Sequence, residues 1–283
     1  MAPVPQQLVD RLVATRHRHN VPAELRPLAR EFGPFVLSVL FPHFARAPQH
    51  TEAAVRAELT QIAEKLGALE KAIGALQGVA PMNGELVEAF LARLGEVHET
   101  LEADAQAILD GDPAARSYDE VVLTYPGFQA LAVFRVAHLL FELGLPLLPR
   151  LMTEYAHEKT GIDIHPGATI GRRFCIDHGT GIVIGETTRI GDGVKLYQSV
   201  TLGAHTVEKA LADRKRHPTI EDEVVIYAGA TILGGTTVVG HHSVIAGNAF
   251  LTQSVPANSV VTRKSEVRPR VTGAVFEDLD WVI

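Results

Sequence analysis

Cysteine is all but missing from this sequence. Cys175 stands alone among 283 residues, so no intramolecular disulfide can form, and a reducing cytoplasm is the expected setting. Positive charge is in deficit too. Lys and Arg number 26 against 33 Asp and Glu, a formal charge of −7, and without a basic run this argues against general nucleic-acid binding. The opening Met1-Ala2-Pro3-Val4-Pro5 lacks the basic-then-apolar order of a secretory signal. Long apolar runs are also absent. The most apolar stretch, 128–152, is interrupted by Arg135, His138, Glu142 and Arg150, which fits a buried helix pair and not a membrane span. What remains, 46% hydrophobic and 21% charged residues, is the balance of a water-soluble globular chain long enough for two regions.

The first region is helical. Residues 1–50 read as short helices punctuated by Pro22, Pro27, Pro34, Pro42 and Pro48. From Thr51 onward, Val55, Leu59, Ile62, Leu66, Leu69, Ile73 and Leu76 step by four and three, a seam of core-facing positions on one helix. A second helix over 84–110 carries Phe90, Leu94, Val97, Leu101 and Ile108 on one face, so the two form an antiparallel hairpin. An apolar helix over 127–144 follows, then one opened by Pro146 and Pro149, with Gly161 as its C-cap.

The second region repeats every six residues. The leading positions are Ile164, Ile170, Ile176, Ile182, Thr188, Val194 and Val200, then Ile220, Ile226, Ile232, Val238, Val244 and Phe250. Helices and ordinary strands repeat near 3.6 and 2 residues; a hexad is the period of a parallel β-helix, in which each unit is a short strand and a corner. Single coils cannot bury their own face, so they stack. The expected fold is therefore α+β: an all-α oligomerisation domain over 1–160, a β-helix over 161–262 and a tail over 263–283. Between Val200 and Ile220 the phase is lost, and the polar segment 203–219 must leave the prism as a loop from one corner.

Chemistry-bearing residues break the bland pattern at few places. Asp163-Ile164-His165-Pro166 opens the prism, Asp177-His178-Gly179-Thr180-Gly181 follows, and Glu186 comes after Gly185. The extruded loop ends in Arg216-His217-Pro218. A histidine beside a carboxylate can act as a general base near neutral pH, and a histidine beside an arginine can hold a carboxylate. Cys175 has no basic neighbour in sequence to activate it and reads as a wall or core residue.

These motifs, with Gln198-Ser199-Val200-Thr201-Leu202-Gly203, Asp112-Pro113-Ala114-Ala115 and the run Tyr125-Pro126-Gly127-Phe128-Gln129-Ala130-Leu131, resemble serine O-acetyltransferases over roughly the second two-thirds of the chain. The resemblance implies a left-handed β-helix, an exception to the usual crossover hand. It implies acetyl transfer from acetyl-CoA, as co-substrate, to the hydroxyl of L-serine, with no metal. His178 would be the general base and Asp163 its partner. Arg216 and His217 would hold the serine carboxylate, Asp112 and Asp177 its amino group, and Glu186 would support the site. CoA would run between neighbouring prisms near Gly203, Ala204, Ala228 and Gly229, in a homotrimer or a dimer of trimers. L-cysteine would be a feedback inhibitor. The tail, ending in Trp281-Val282-Ile283, would offer Ile283 and its carboxylate to O-acetylserine sulfhydrylase.

The chain departs from the family pattern in places. The 203–219 loop is long, His242 and Ser243 stand where relatives often place a lysine that meets CoA, and 263–267 replaces the usual Gly-x-Pro-Ala-Arg ending. Other readings are a zinc site, for which no β-helix histidine pair has the required five-residue spacing, an acyltransferase for homoserine or a sugar, and a silent scaffold.

Overall fold

The computed structural model describes residues 3–262 apart from 20, 23–24, 49, 79, 81–83 and 206–213. Helices come first: α1 (Gln6–Arg18), α2 (Leu25–Leu40), α3 (Glu52–Gln77), α4 (Glu85–Gly111), α5 (Tyr118–Thr124), α6 (Pro126–Glu142) and α7 (Leu148–Thr160). Thr51 caps α3 by accepting from the Ala54 N–H at 3.2 Å, and Gly78 ends it with φ 68°. The predicted seam holds at its centre, where Ile62, Leu66, Leu69 and Ile73 are buried, but Val55, in the first turn, is exposed. Pro34 does not interrupt the chain as expected. It lies inside α2, whose buried Phe32, Val36 and Leu37 offset the lost backbone bond.

The rest is a three-faced prism of parallel strands. Face A holds β1 (Asp163–Ile164), β4 (Val183–Ile184), β7 (Thr201–Gly203), β10 (Thr231–Leu233) and β13 (Phe250–Leu251). Face B holds β2 (Thr169–Ile170), β5 (Arg189–Ile190), β8 (Thr219–Ile220) and β11 (Val238–Val239). Face C holds β3 (Cys175–Ile176), β6 (Lys195–Leu196), β9 (Val225–Ile226), β12 (Val244–Ile245) and β14 (Val260–Val261). The chain visits A, B and C in turn. Two residues per unit point inward, as strand alternation requires: Ile162 with Ile164, Ile182 with Ile184, Val194 with Leu196.

That double row corrects the hexad phase. A regular coil advances 18 residues, as from Val183 to its partner Thr201. The first coil takes 20, Asp163 pairing with Val183, and the two extra residues form the turn at 177–181. Near Gly234 one more residue enters, so Thr219 pairs with Val238. Core positions there are Val239 and Ile245, and Phe250 is 68% exposed, contrary to the expected inward Val238, Val244 and Phe250. Thr188, the exception to the aliphatic rule, is nonetheless buried.

Helix α6 belongs to both cores. Phe128, Ala132, Val133 and Val136 pack among the helices, while Ala130, Leu131 and Phe134 close the end of the prism. Gly127 permits this approach, since a Cβ there would lie 2.5 Å from the Ile176 carbonyl oxygen. A buried ion pair fastens the same junction. Arg135 of α6 donates to Asp104 of α4 (Nε to Oδ2, 3.0 Å) and to the carbonyls of Ile170 and Gly171, and Asp104 accepts the Phe174 N–H at 2.9 Å. No described helix is long and apolar enough to cross a membrane.

Candidate active site

Two corners of face A carry the polar residues, and each is built by a sequence irregularity. At the C/A corner the two-residue excess makes a projecting turn. His178 takes the left-handed conformation at φ 59°, followed by Gly179 and Gly181 at φ 91° and 83°. Its side chain is 72% exposed, with Nε2 3.7 Å from Asp177 Oδ1. Asp177 is buried, and its other oxygen meets Lys195 Nζ at 3.1 Å. Lys195 also donates to the Gly111 carbonyl at 2.7 Å, bringing the C-terminal end of α4 and Asp112 to this corner. Asp112 accepts from Tyr125 Oη at 2.6 Å and from the Ala114 N–H at 2.8 Å, and these bonds, with smaller contributions from Lys195 and His178, hold its carboxyl below the usual range. The same Asp112 bond pushes the Tyr125 phenol up to about 12. Burial opposes the charge of Lys195, but bonding to Tyr197 and Asp177 and the nearby Cys175 more than offset it, raising its pKa.

At the A/B corner the long insertion leaves and returns. Here Gly185 lets the His217 ring lie on the turn, where a Cβ would fall 2.0 Å from Cδ2. His217 Nδ1 accepts from the Thr187 N–H (3.1 Å) and hydroxyl (2.9 Å); that hydroxyl itself accepts from the backbone N–H groups of Arg216 and His217. With Nδ1 an acceptor, the neutral ring carries its proton on Nε2, which becomes a donor. Burial, then the charges of Arg216 and Lys215, push the His217 pKa down to about 4, so the ring is neutral at physiological pH. The Arg216 guanidinium pairs with Glu186. His165 sits beside this group, its pKa lowered chiefly by burial.

The sequence-predicted residues therefore fall into two sets. Asp112, Asp177 and His178 meet at one corner; Glu186, Arg216 and His217 meet at the other. The expected CoA contacts divide in the same way. Ala228 and Gly229 lie in a C/A turn before β10, whereas Gly203 and Ala204 lie where the A/B loop departs. Six residues lie between His178 and Gly185, on the order of 15–20 Å of strand and turn, several times the length of an amino acid. Asp163 starts β1 on the face between the corners, and among the described residues its side chain makes no hydrogen bond or ion pair. Cys175 is buried, and burial raises its thiol to about 12, which bears out a wall residue and not a nucleophile. No cluster of His, Cys, Asp and Glu suited to a metal occurs among the described residues. The segment 206–213 and the tail with Ile283 lie outside the described residues.

Residues 62–133 match the family model "Serine acetyltransferase, N-terminal". The chain is 49% identical over 161 residues to a Bacillus subtilis serine acetyltransferase, covering 57% of this chain and 72% of that one. It belongs to the serine acetyltransferase family. A plasmid-encoded serine acetyltransferase of Synechococcus elongatus is 53% identical over 184 residues, which span 63% of this chain and 57% of that protein. Among solved structures, Entamoeba histolytica serine acetyltransferase 1 in complex with L-cysteine superposes with a TM-score of 0.74 at 38% identity, covering 83% of this chain and 86% of that one. A serine acetyltransferase solved in complex with CoA superposes at 0.55 with 26% identity, covering 74% and 96%. The prism is thus the left-handed β-helix of the serine acetyltransferase family, preceded by its helical domain.

Proposed function

We propose that this serine acetyltransferase transfers the acetyl group of acetyl-CoA to the hydroxyl of L-serine, giving O-acetyl-L-serine and CoA, in a site formed between two copies of the chain. The observation that carries this is the double division across face A. Each corner holds half of the residues suited to an amino acid and half of those suited to CoA, and only a neighbouring prism can bring complementary corners together. A closed ring of three such contacts is the homotrimer, and pairing through the helical domains would give a dimer of trimers.

In the assembled site Asp112 and Asp177 hold the serine ammonium. Arg216, steadied by Glu186, and the Nε2–H of His217 hold its carboxylate. His178 removes the hydroxyl proton as the oxygen attacks the thioester carbonyl, and the resulting imidazolium returns that proton to the departing CoA sulfur. Asp163, projecting from the same face, stabilises the imidazolium. A site that fits serine's single methylene should acetylate homoserine, longer by one methylene, roughly 10–200-fold less efficiently, and a sugar amine less still. L-Cysteine carries the same ammonium and carboxylate with a thiol in place of the hydroxyl. It should raise the apparent KM for serine and leave the maximal rate unchanged.

Following CoA thiol release with each acceptor, with and without cysteine, tests these statements. Equal rates with homoserine, or cysteine inhibition that serine does not relieve, would overturn them. We further propose Ile283, outside the described residues, as the contact for O-acetylserine sulfhydrylase, since a terminal carboxylate on an apolar residue suits an amino-acid site. A cytoplasmic setting is proposed from the single cysteine.

A further inference from the structure

Lys195 has no part in the residue roles above, yet it sits at their centre. Its side chain is 14% exposed, and its ammonium bridges the Gly111 carbonyl and Asp177 Oδ2 and lies 4.5 Å from the centre of the Tyr197 ring. We propose that Lys195 is a positioning and charge-balancing residue for the acceptor amino group and for His178. The proposal rests on the serine acetylation described above.

The geometry gives it two effects. First, two carboxylates, Asp112 and Asp177, face the place of one substrate ammonium. With Lys195 bound to Asp177, the corner carries a net charge of one negative unit, matching a single ammonium; without it, two uncompensated negative charges stand at the corner. Second, Asp177 presents Oδ2 to Lys195 and Oδ1 to His178, so the lysine both fixes the carboxylate and balances its attraction for a proton on the imidazole. The other groups facing this corner are Asp112 at the end of α4, Tyr125 before α6, and Cys175 on β3; Tyr125 and Cys175 stay protonated near neutrality, so Lys195 is the cation that decides the balance.

In Lys195→Met the uncompensated Asp177 should favour protonation of His178. The acid limb of kcat/KM should move to higher pH, because Asp177 then acts on the imidazole without its cation. The KM for serine should rise about tenfold as Asp177 and Asp112 lose their anchor, while the KM for acetyl-CoA stays put. Lys195→Arg, which keeps the charge, should restore the wild-type limb. If Lys195→Met does not assemble, Lys195→Gln, which keeps a donor without the charge, carries the same measurement. An unmoved acid limb with an unmoved serine KM, in a variant that melts lower, would make Lys195 a structural staple and overturn the proposal. Failure of the wild-type chain to acetylate serine would instead remove the reading beneath it, so the two failures are distinguishable.

Discussion

Replacing His178 by alanine should lower kcat for serine acetylation by about 10²–10⁴, the usual consequence of losing a general base. The fold should survive the change. His178 lies on an exposed turn with its side chain 72% exposed, so little packing is lost. One complication is conformational, because the residue holds φ 59°, where alanine is strained by about 1–2 kcal/mol. Asparagine tolerates that region, so His178→Asn keeps the turn and removes the base. Both variants should lose rate alike, with melting temperatures that differ between them. Steady-state kinetics beside thermal melts separate the effects; a near-wild-type kcat in His178→Asn would remove the base assignment.

The second large effect falls far from the chemistry. Asp104→Ala should destabilise the protein by about 3–5 kcal/mol, because it leaves the Arg135 guanidinium buried without its counter-charge. Arg135 is 7% exposed and Asp104 fully buried, so water cannot stand in for the lost carboxylate. The Phe174 N–H loses its acceptor as well. For a chain of this size the melting temperature should drop by on the order of 10 °C. Adding Arg135→Met should recover much of the loss, since an apolar pair of similar volume avoids the buried charge. A calorimetric scan of the single and double variants checks this. Equal stability of wild type and Asp104→Ala would mean that the junction between helices and prism is held by α6 packing alone.

The architecture was legible because burial imposes a period. Ile164, Ile170 and Ile176 announce a coil of three six-residue faces, and the caps Thr51, Gly78 and Gly161 lie where residue chemistry puts them. The phase was not fully legible. Both Ile182 and Ile184 are aliphatic and buried, so a two-residue shift at the Asp177–Gly181 turn leaves a single trace, Thr188 where the shifted series has Ile190. Lys195 carried a signal in the unshifted count as well. Its strand partner is Cys175, 20 residues earlier, whereas an 18-residue step back reaches Asp177, its ion-pair partner. The Asp104–Arg135 clasp was hidden for another reason. Asp104 falls between Leu101 and Ile108 on the apolar face of α4, so its burial was legible, but its partners Arg135 and the Phe174 N–H were not. The proposed roles of His178, Arg216 and His217 come from residue types and motifs, but their separation at two corners required the coil order.

That separation carries the account, and mixed assembly tests it most directly. A His178→Asn chain lacks the base at one corner and an Arg216→Ala chain lacks the clamp at the other. Each alone should show almost no serine acetylation. Unfolded, mixed at equal amounts and refolded together, they should place both intact corners at roughly one site in four of a closed trimer and recover activity in that proportion. If each chain held a complete site of its own, the mixture would be as inactive as its two components, and the division of the serine site between copies would be wrong.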